Sequence, residues 1–134
     1  MVTYVFDASA LVAYFLDTPG ALKVEALLKD AARARSTILM SAVNFGEAYG
    51  FIFRAEGADP ARAMESAVHP LPIKFLDATL QHCRHAAEVK LRYKLYYADS
   101  FAAALAIEHK ATLVTSDSGF RRLGHTLRVL WLKH

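Results

Sequence analysis

Short apolar runs alternate along this chain with longer stretches of helical spacing. Residues 3–6 are β-branched and aromatic and predict a short buried strand. From Ser9 onward, Ala10, Leu11, Ala13, Tyr14 and Phe15 recur at helical density. Thr18-Pro19-Gly20 predicts the start of a second helix over residues 21–33, with Leu22, Ala26 and Leu27 on one face. Residues 38–40 predict a second strand. Ser41 then caps a helix running to about residue 55, closed by Gly57. Asp59-Pro60 supplies an N-cap and first-turn pair for a helix ending before His69-Pro70, and residues 72–76 predict a third strand. Asp77 caps a helix to about residue 93, and another helix covers residues 97–109. Residues 112–115 have strong strand propensity. Residues 118–123 read as a short helix and residues 127–132 as a last strand.

Short strands alternating with helices imply an α/β fold in three layers, α/β/α, with a short central parallel sheet flanked by helices. Such sheets carry their sites at the carboxyl ends of the strands. The chain has 134 residues, 54% hydrophobic and 22% charged, which fits one globular domain over residues 1–134 and excludes a disordered chain. No repeat, low-complexity tract or linker interrupts it. The formal charge of +3 is mildly basic and favours a polyanionic partner only weakly. The single cysteine, Cys83, has no internal disulfide partner and suits a reducing compartment. With no charged leader before a long apolar stretch, and apolar runs far short of the ~20 residues a spanning helix needs, a cytoplasmic location and no membrane contact are expected.

Four acids change this picture. Asp7 ends the first strand, Glu47 lies inside the helix after Ser41, Asp99 opens the Ala-rich helix, and Asp117 follows the strand 112–115. Each adjoins an apolar segment, and none has a neighbouring Lys or Arg in sequence. Burying such carboxylates unpaired costs several kcal/mol each unless a positive partner is bound, and a divalent cation with oxygen ligands is the simplest one. Taken singly, Asp7, Asp99 and Asp117 have an ordinary alternative as helix caps. Glu47 is mid-helix and has none. Ser9, Asn44 and Thr115 stand beside these acids and suit hydrogen-bonded support of carboxylates or waters.

The motifs Val5-Phe6-Asp7-Ala8-Ser9, Ser41-Ala42-Val43-Asn44-Phe45-Gly46-Glu47, Tyr97-Ala98-Asp99-Ser100-Phe101 and Leu113-Val114-Thr115-Ser116-Asp117 occur in that order. In order and spacing the chain resembles the PIN-domain ribonucleases, and more narrowly the VapC toxins of toxin–antitoxin pairs. The resemblance covers essentially the whole chain. It implies that Asp7, Glu47, Asp99 and Asp117 are catalytic and bind Mg²⁺ or Mn²⁺, and that Ser9, Asn44 and Thr115 support them. It implies an RNA substrate, tRNA or rRNA, cut to 5′-phosphate and 3′-hydroxyl ends. A VapB-like antitoxin partner, operator DNA bound only through the antitoxin complex, and a homodimer are implied in the same way.

Arg84, Lys90, Arg92 and Lys94, with Tyr93, Tyr96 and Tyr97, form a basic and aromatic stretch leading into Asp99, suited to phosphate contact and base stacking. Arg121 and Arg122, close after Asp117, are a second candidate for RNA contact. His82-Cys83-Arg84-His85 lacks the second cluster that a zinc tetrahedron needs. The competing function is a non-catalytic module acting through an antitoxin complex, for which the aromatic helix bearing Phe45, Tyr49, Phe51, Ile52 and Phe53 offers a partner surface. A phosphatase expects an acid two residues after Asp7, where Ser9 stands, and a receiver domain expects an acidic pair after the first strand, which is absent.

Overall fold

The computed structural model describes residues 1–133. Five strands form one parallel sheet: β1 Val2–Phe6, β2 Ser36–Ser41, β3 Lys74–Leu76, β4 Thr112–Thr115 and β5 Arg128–Trp131. Six α-helices run between them: α1 Ala8–Leu16, α2 Ala21–Ala32, α3 Ala42–Glu56, α4 Ala58–Val68, α5 Leu80–Tyr93 and α6 Tyr97–His109. Residues Ser118–Leu123 make a 3-10 turn, which is tighter than the helix expected there.

The strand order is β3-β2-β1-β4-β5, with every pair parallel. The chain winds outward from β1 in one direction through β2 and β3, then crosses back to β4 and β5. The order therefore reverses between β1 and β4, where a parallel α/β sheet opens a crevice at its carboxyl edge. Alternation along each central strand sends neighbouring side chains to opposite layers. Phe6, Ile38, Met40 and Val114 pack under α1–α4. Val5, Leu39 and Leu113 pack under α5 and α6. Ala102, Ala103, Ala104 and Ala106 are buried on several faces of α6, so that helix sits close against both the sheet and α5.

Several element boundaries differ from the sequence expectation. Gly57, in a left-handed conformation (φ 103°), both closes α3 and precedes α4, so Asp59 falls in the first turn of α4 instead of capping it. Thr79, not Asp77, caps α5, its hydroxyl accepting from the His82 N–H at 3.1 Å. The buried face of α2 is Ala21, Val24, Leu27 and Leu28, and Leu22 points to solvent. Of the α3 aromatics, Phe45 and Tyr49 pack against the core while Phe51 and Phe53 are exposed.

Candidate metal centre

Asp7 follows β1 directly and caps α1. Its Oδ1 accepts from the Ala10 N–H at 3.0 Å and from the Ser9 hydroxyl at 2.6 Å, and its Oδ2 accepts from the Thr115 hydroxyl. Only 3% of Asp7 is exposed, and Thr115, the last residue of β4, is fully buried. Thr115 Oγ1 in turn accepts from the Asp117 N–H at 2.9 Å, and Ser9 Oγ accepts from the Ser116 N–H at 2.9 Å. Two of these hydrogen bonds, Thr115 to Asp7 and Ser116 to Ser9, stitch the end of β1 to the end of β4, across the crevice where the strand order reverses. Asp117 caps the 3-10 turn, its Oδ1 accepting from the Gly119 N–H at 2.8 Å. For Asp7 and Asp117 the capping role and membership of the acidic group coincide.

The other two acids come from helices. Asp99 lies in the first turn of α6, whose N-cap is Tyr96, so Asp99 is not a cap. Glu47 lies mid-helix in α3 and reaches the cavity from an exposed position, although its helix is anchored in the core through Asn44, Ala48 and Ile52. Asn44 joins the two helices. Its Nδ2 donates to the Ala98 carbonyl at 3.0 Å and to Glu47 Oε1 at 3.4 Å. The side chain is fully buried, and its Oδ1 has no hydrogen-bond partner among the described residues. One amide therefore sets the backbone just before Asp99 and steers the Glu47 carboxylate.

Asp7, Glu47, Asp99 and Asp117 line one cavity of about 720 Å³, together with Ser9, Ser116 and Lys133. Burial pushes the Asp7 carboxyl up to about 6, against the hydrogen bonds from Ser9, Thr115 and Ala10, with the Glu47 charge adding to the rise. Asp99 is pushed up to about 7, first by burial and then by the charges of Asp117, Glu47 and Asp7. Glu47 is also raised by burial, partly offset by Asn44 and reinforced by Asp117. Asp7, Glu47 and Asp99 thus share one electrostatic environment that disfavours their charged forms.

Among the described residues no side-chain cation pairs with these acids, although Lys133 lines the same cavity. The ion pairs among the described residues are Lys29–Glu25 and Arg62–Asp59, both on helix surfaces away from this cavity. Nor do any three acidic, histidine or cysteine groups among the described residues already close into a cage. The carboxylates border an open space. An all-oxygen, multiply anionic donor set of that kind fits Mg²⁺ or Mn²⁺, which keep several waters, better than a cation needing a closed tetrahedral shell.

The basic residues divide. Arg84 and Arg92 are exposed on α5, Lys90 is half-buried there and Lys94 is exposed at its C-terminus, and none of the four lines the carboxylate cavity. Tyr97 packs edge-on against Phe101 with ring centroids 5.0 Å apart, while Tyr96 is exposed. Arg122 is committed elsewhere, its Nη1 donating to the Lys94 carbonyl at 2.9 Å. Arg121 instead lies over the Trp131 ring, 4.6 Å from its centroid, in a second cavity that adjoins the first. Trp131 is half-buried, not a full core residue. His82 is buried, its ring hydrogen-bonded to the Phe101 carbonyl and packed on the Phe101 ring, so the His82–His85 pair makes no ligand site.

Two residues absent from the sequence expectation belong to this region. The Gly119 amide holds Asp117, and a Cβ at Gly119 would sit 3.2 Å from Asp117 Oδ1. Lys133 lines both cavities. The Ser-Gly step after Asp117 was a legible signal for the first, but nothing local marks the second.

Comparison with known proteins agrees with this architecture. The PIN domain family matches residues 4–125. Among solved structures, DNA-bound VapBC from Salmonella typhimurium superposes with a TM-score of 0.74 at 15% identity, over 97% of this chain and 98% of that one. VapBC2 from Rickettsia felis, bound to a promoter DNA fragment, gives 0.72 at 17% identity, over 96% and 98%. VapC20 from Mycobacterium tuberculosis, described as a sarcin-ricin loop cleaving toxin, gives 0.72 at 16% identity, over 90% and 95%. Among curated proteins, none matches the sequence significantly. The family match spans β2, β3 and β4, most of β1 and all four acids, and the chain belongs to the PIN-domain family.

Proposed function

We propose that this protein is a divalent-metal-dependent endoribonuclease, the toxin of a toxin–antitoxin pair. The observation that carries the reading is the set of four carboxylates around one cavity at the carboxyl edge of the sheet, none of them in an ion pair among the described residues. In this reading Asp7, Glu47, Asp99 and Asp117 hold Mg²⁺ or Mn²⁺. Bound there, the ion supplies an activated water and neutralises charge that builds on the phosphate during cleavage.

The protein's own contribution is positional. Thr115 and Ser9 fix both oxygens of Asp7, so that carboxylate presents a constant orientation to the cavity. Asn44 fixes the approach of Asp99 and Glu47, and the Gly119 amide fixes Asp117. The raised proton affinities of Asp7 and Asp99 mean that ion and protons compete for the same oxygens.

The antitoxin partner has separate support. The acids share their cavity with an apolar wall of Val12, Ala13, Leu16, Pro19, Phe51 and Ala55. Phe51 is 55% exposed and extends that apolar wall to the surface, where a partner segment can cover it. A VapB-like segment laid on that wall would reach the carboxylates and block RNA. VapBC complexes of the same fold have been solved on DNA, one of them on a promoter fragment, which supports operator binding through such a complex.

The test is incubation of total cellular RNA with the purified protein in Mg²⁺, with mapping of the new ends. The reading expects discrete cuts bearing 5′-phosphates, none in EDTA, and none with the folded Asp99→Asn variant. Undiminished cutting in EDTA or by that variant would refute it.

A further inference from the structure

The carboxylate cavity repels the backbone it is proposed to cut, so a strand must be held by positive charge close beside it. The structure offers one such place in direct continuity. A second cavity of about 390 Å³ is lined by Ser116, Asp117, Ser118, Arg121, Trp131 and Lys133. It shares Ser116, Asp117 and Lys133 with the first cavity, so the two form one groove with Asp117 at the junction.

The cations in that groove are held, yet have donors to spare. Arg121 is exposed, stacks on the Trp131 ring, and makes no ion pair among the described residues. Stacking fixes the guanidinium plane while leaving its edge of N–H donors free, the geometry that suits a phosphate. Trp131 is fixed in turn. Its carbonyl accepts from Lys23 Nζ at 3.0 Å, and the next residue, Leu132, bonds through its N–H to the Thr115 carbonyl at 2.9 Å. Gly20 crosses so close to Leu132 that a Cβ there would lie 2.8 Å from it. The end of β5 is thus clamped between β4 and the α1–α2 loop, and Lys133 leaves that clamp into the shared groove. Arg122, the sequence neighbour of Arg121, spends its guanidinium on the Lys94 carbonyl instead.

We propose that Arg121, stacked on Trp131, and Lys133 form a phosphate-binding site that grips single-stranded RNA next to the scissile position, on the Asp117 side of the metal centre. The proposal rests on the ribonuclease reading and adds to it the direction in which the strand leaves the site. Arg122 and the α5 residues Arg84, Lys90, Arg92 and Lys94 lie outside this grip.

The experiment measures binding of a fluorescein-labelled short single-stranded RNA by anisotropy, in EDTA, across a salt series. The proteins are wild type, Arg121→Gln, Lys133→Gln, the double variant, Arg121→Lys, and Arg62→Gln as a charge-matched control on α4. Each lost phosphate contact should lower the magnitude of the log–log salt slope by about 0.7, so by about 1.4 in the double variant, with affinity down roughly tenfold. Arg121→Lys should restore the slope but not the full affinity, and Arg62→Gln should change neither. Cleavage by the double variant in Mg²⁺ should show a raised KM with little change in kcat. If wild type cleaves RNA while the double variant keeps the wild-type slope and affinity, this site is wrong and the ribonuclease reading stands. If wild type neither binds nor cleaves RNA, both fall.

Discussion

The Thr115 hydroxyl donates to Asp7 Oδ2 while its oxygen accepts from the Asp117 N–H at 2.9 Å, so one buried side chain at the end of β4 orients two acids from two different strands. Replacing it by valine keeps the shape and removes both links. Thr115→Val should cost about 1–3 kcal/mol of stability through the unpaired Asp117 amide and the weakened Asp7 network. It should weaken divalent-ion binding about 10- to 100-fold. Thr115→Ser should restore most of both. Denaturant unfolding and ion titration of the pair measure this.

Asp7 makes stability fall with rising pH. Its carboxyl titrates at about 6 in the folded protein against 3.8 ordinarily, so the folded state holds the proton more tightly. A raised folded value contributes stability that is fully present below about pH 4 and lost as pH rises through about 6. For Asp7 the size is about 3 kcal/mol. In EDTA, Asp7→Asn should therefore melt above wild type at pH 8, and the gap should shrink toward pH 4. Mg²⁺ should raise the melting temperature of wild type at pH 8 and leave the variant unmoved. Thermal melts in both conditions across pH decide it.

Gly119 predicts a graded effect. An alanine Cβ 3.2 Å from Asp117 Oδ1 forces the carboxylate or the turn to yield by a few tenths of an ångström. The residue is not in the left-handed region, so backbone strain does not enter. Gly119→Ala should thus leave the melting temperature within a few degrees of wild type while lowering RNA cleavage several-fold. Equal cleavage by the two proteins would show that Asp117 need not be held where it is.

Asn44 predicts coupling between helices. Asn44→Ala removes the donor to Ala98 and Glu47 together, at a cost of about 1–3 kcal/mol if the Ala98 carbonyl is left unpaired. Asn44→Asp adds a fifth carboxylate to the cluster and should be worse without metal than with it. Unfolding curves with and without Mn²⁺ separate the two effects.

Much of this arrangement was legible in the chain because local chemistry and long-range placement agreed. Apolar runs ending in Asp7 and Thr115 mark strand ends, and a parallel sheet brings such ends together. Glu47 stood out as an acid with no capping role, and the structure carries it on an exposed turn of a helix anchored by Asn44. The misplaced helix starts share one cause. Asp59 and Asp77 are good caps, but Gly57 and Thr79 lie within two residues of them, and the approach of the chain to the sheet decides between such close competitors. Arg121 and Arg122 were indistinguishable in sequence, and only the position of Trp131 on β5 and of Lys94 at the end of α5 separates them. Lys133 carried no signal, since its place depends on β5 pairing with β4 and on Gly20 crossing Leu132.

The central claim is that Asp7, Glu47, Asp99 and Asp117 jointly hold a divalent ion, and Mn²⁺ titration followed by electron paramagnetic resonance tests it most directly. Wild type should show saturable binding at pH 8 that weakens as pH falls below about 7, by up to about two decades per unit once both Asp99 and Asp7 must lose a proton. Folded Asp7→Asn and Asp99→Asn should lose that binding, and Lys133→Gln should keep it. Binding that is absent in wild type, or undiminished in both carboxylate variants, would contradict the account.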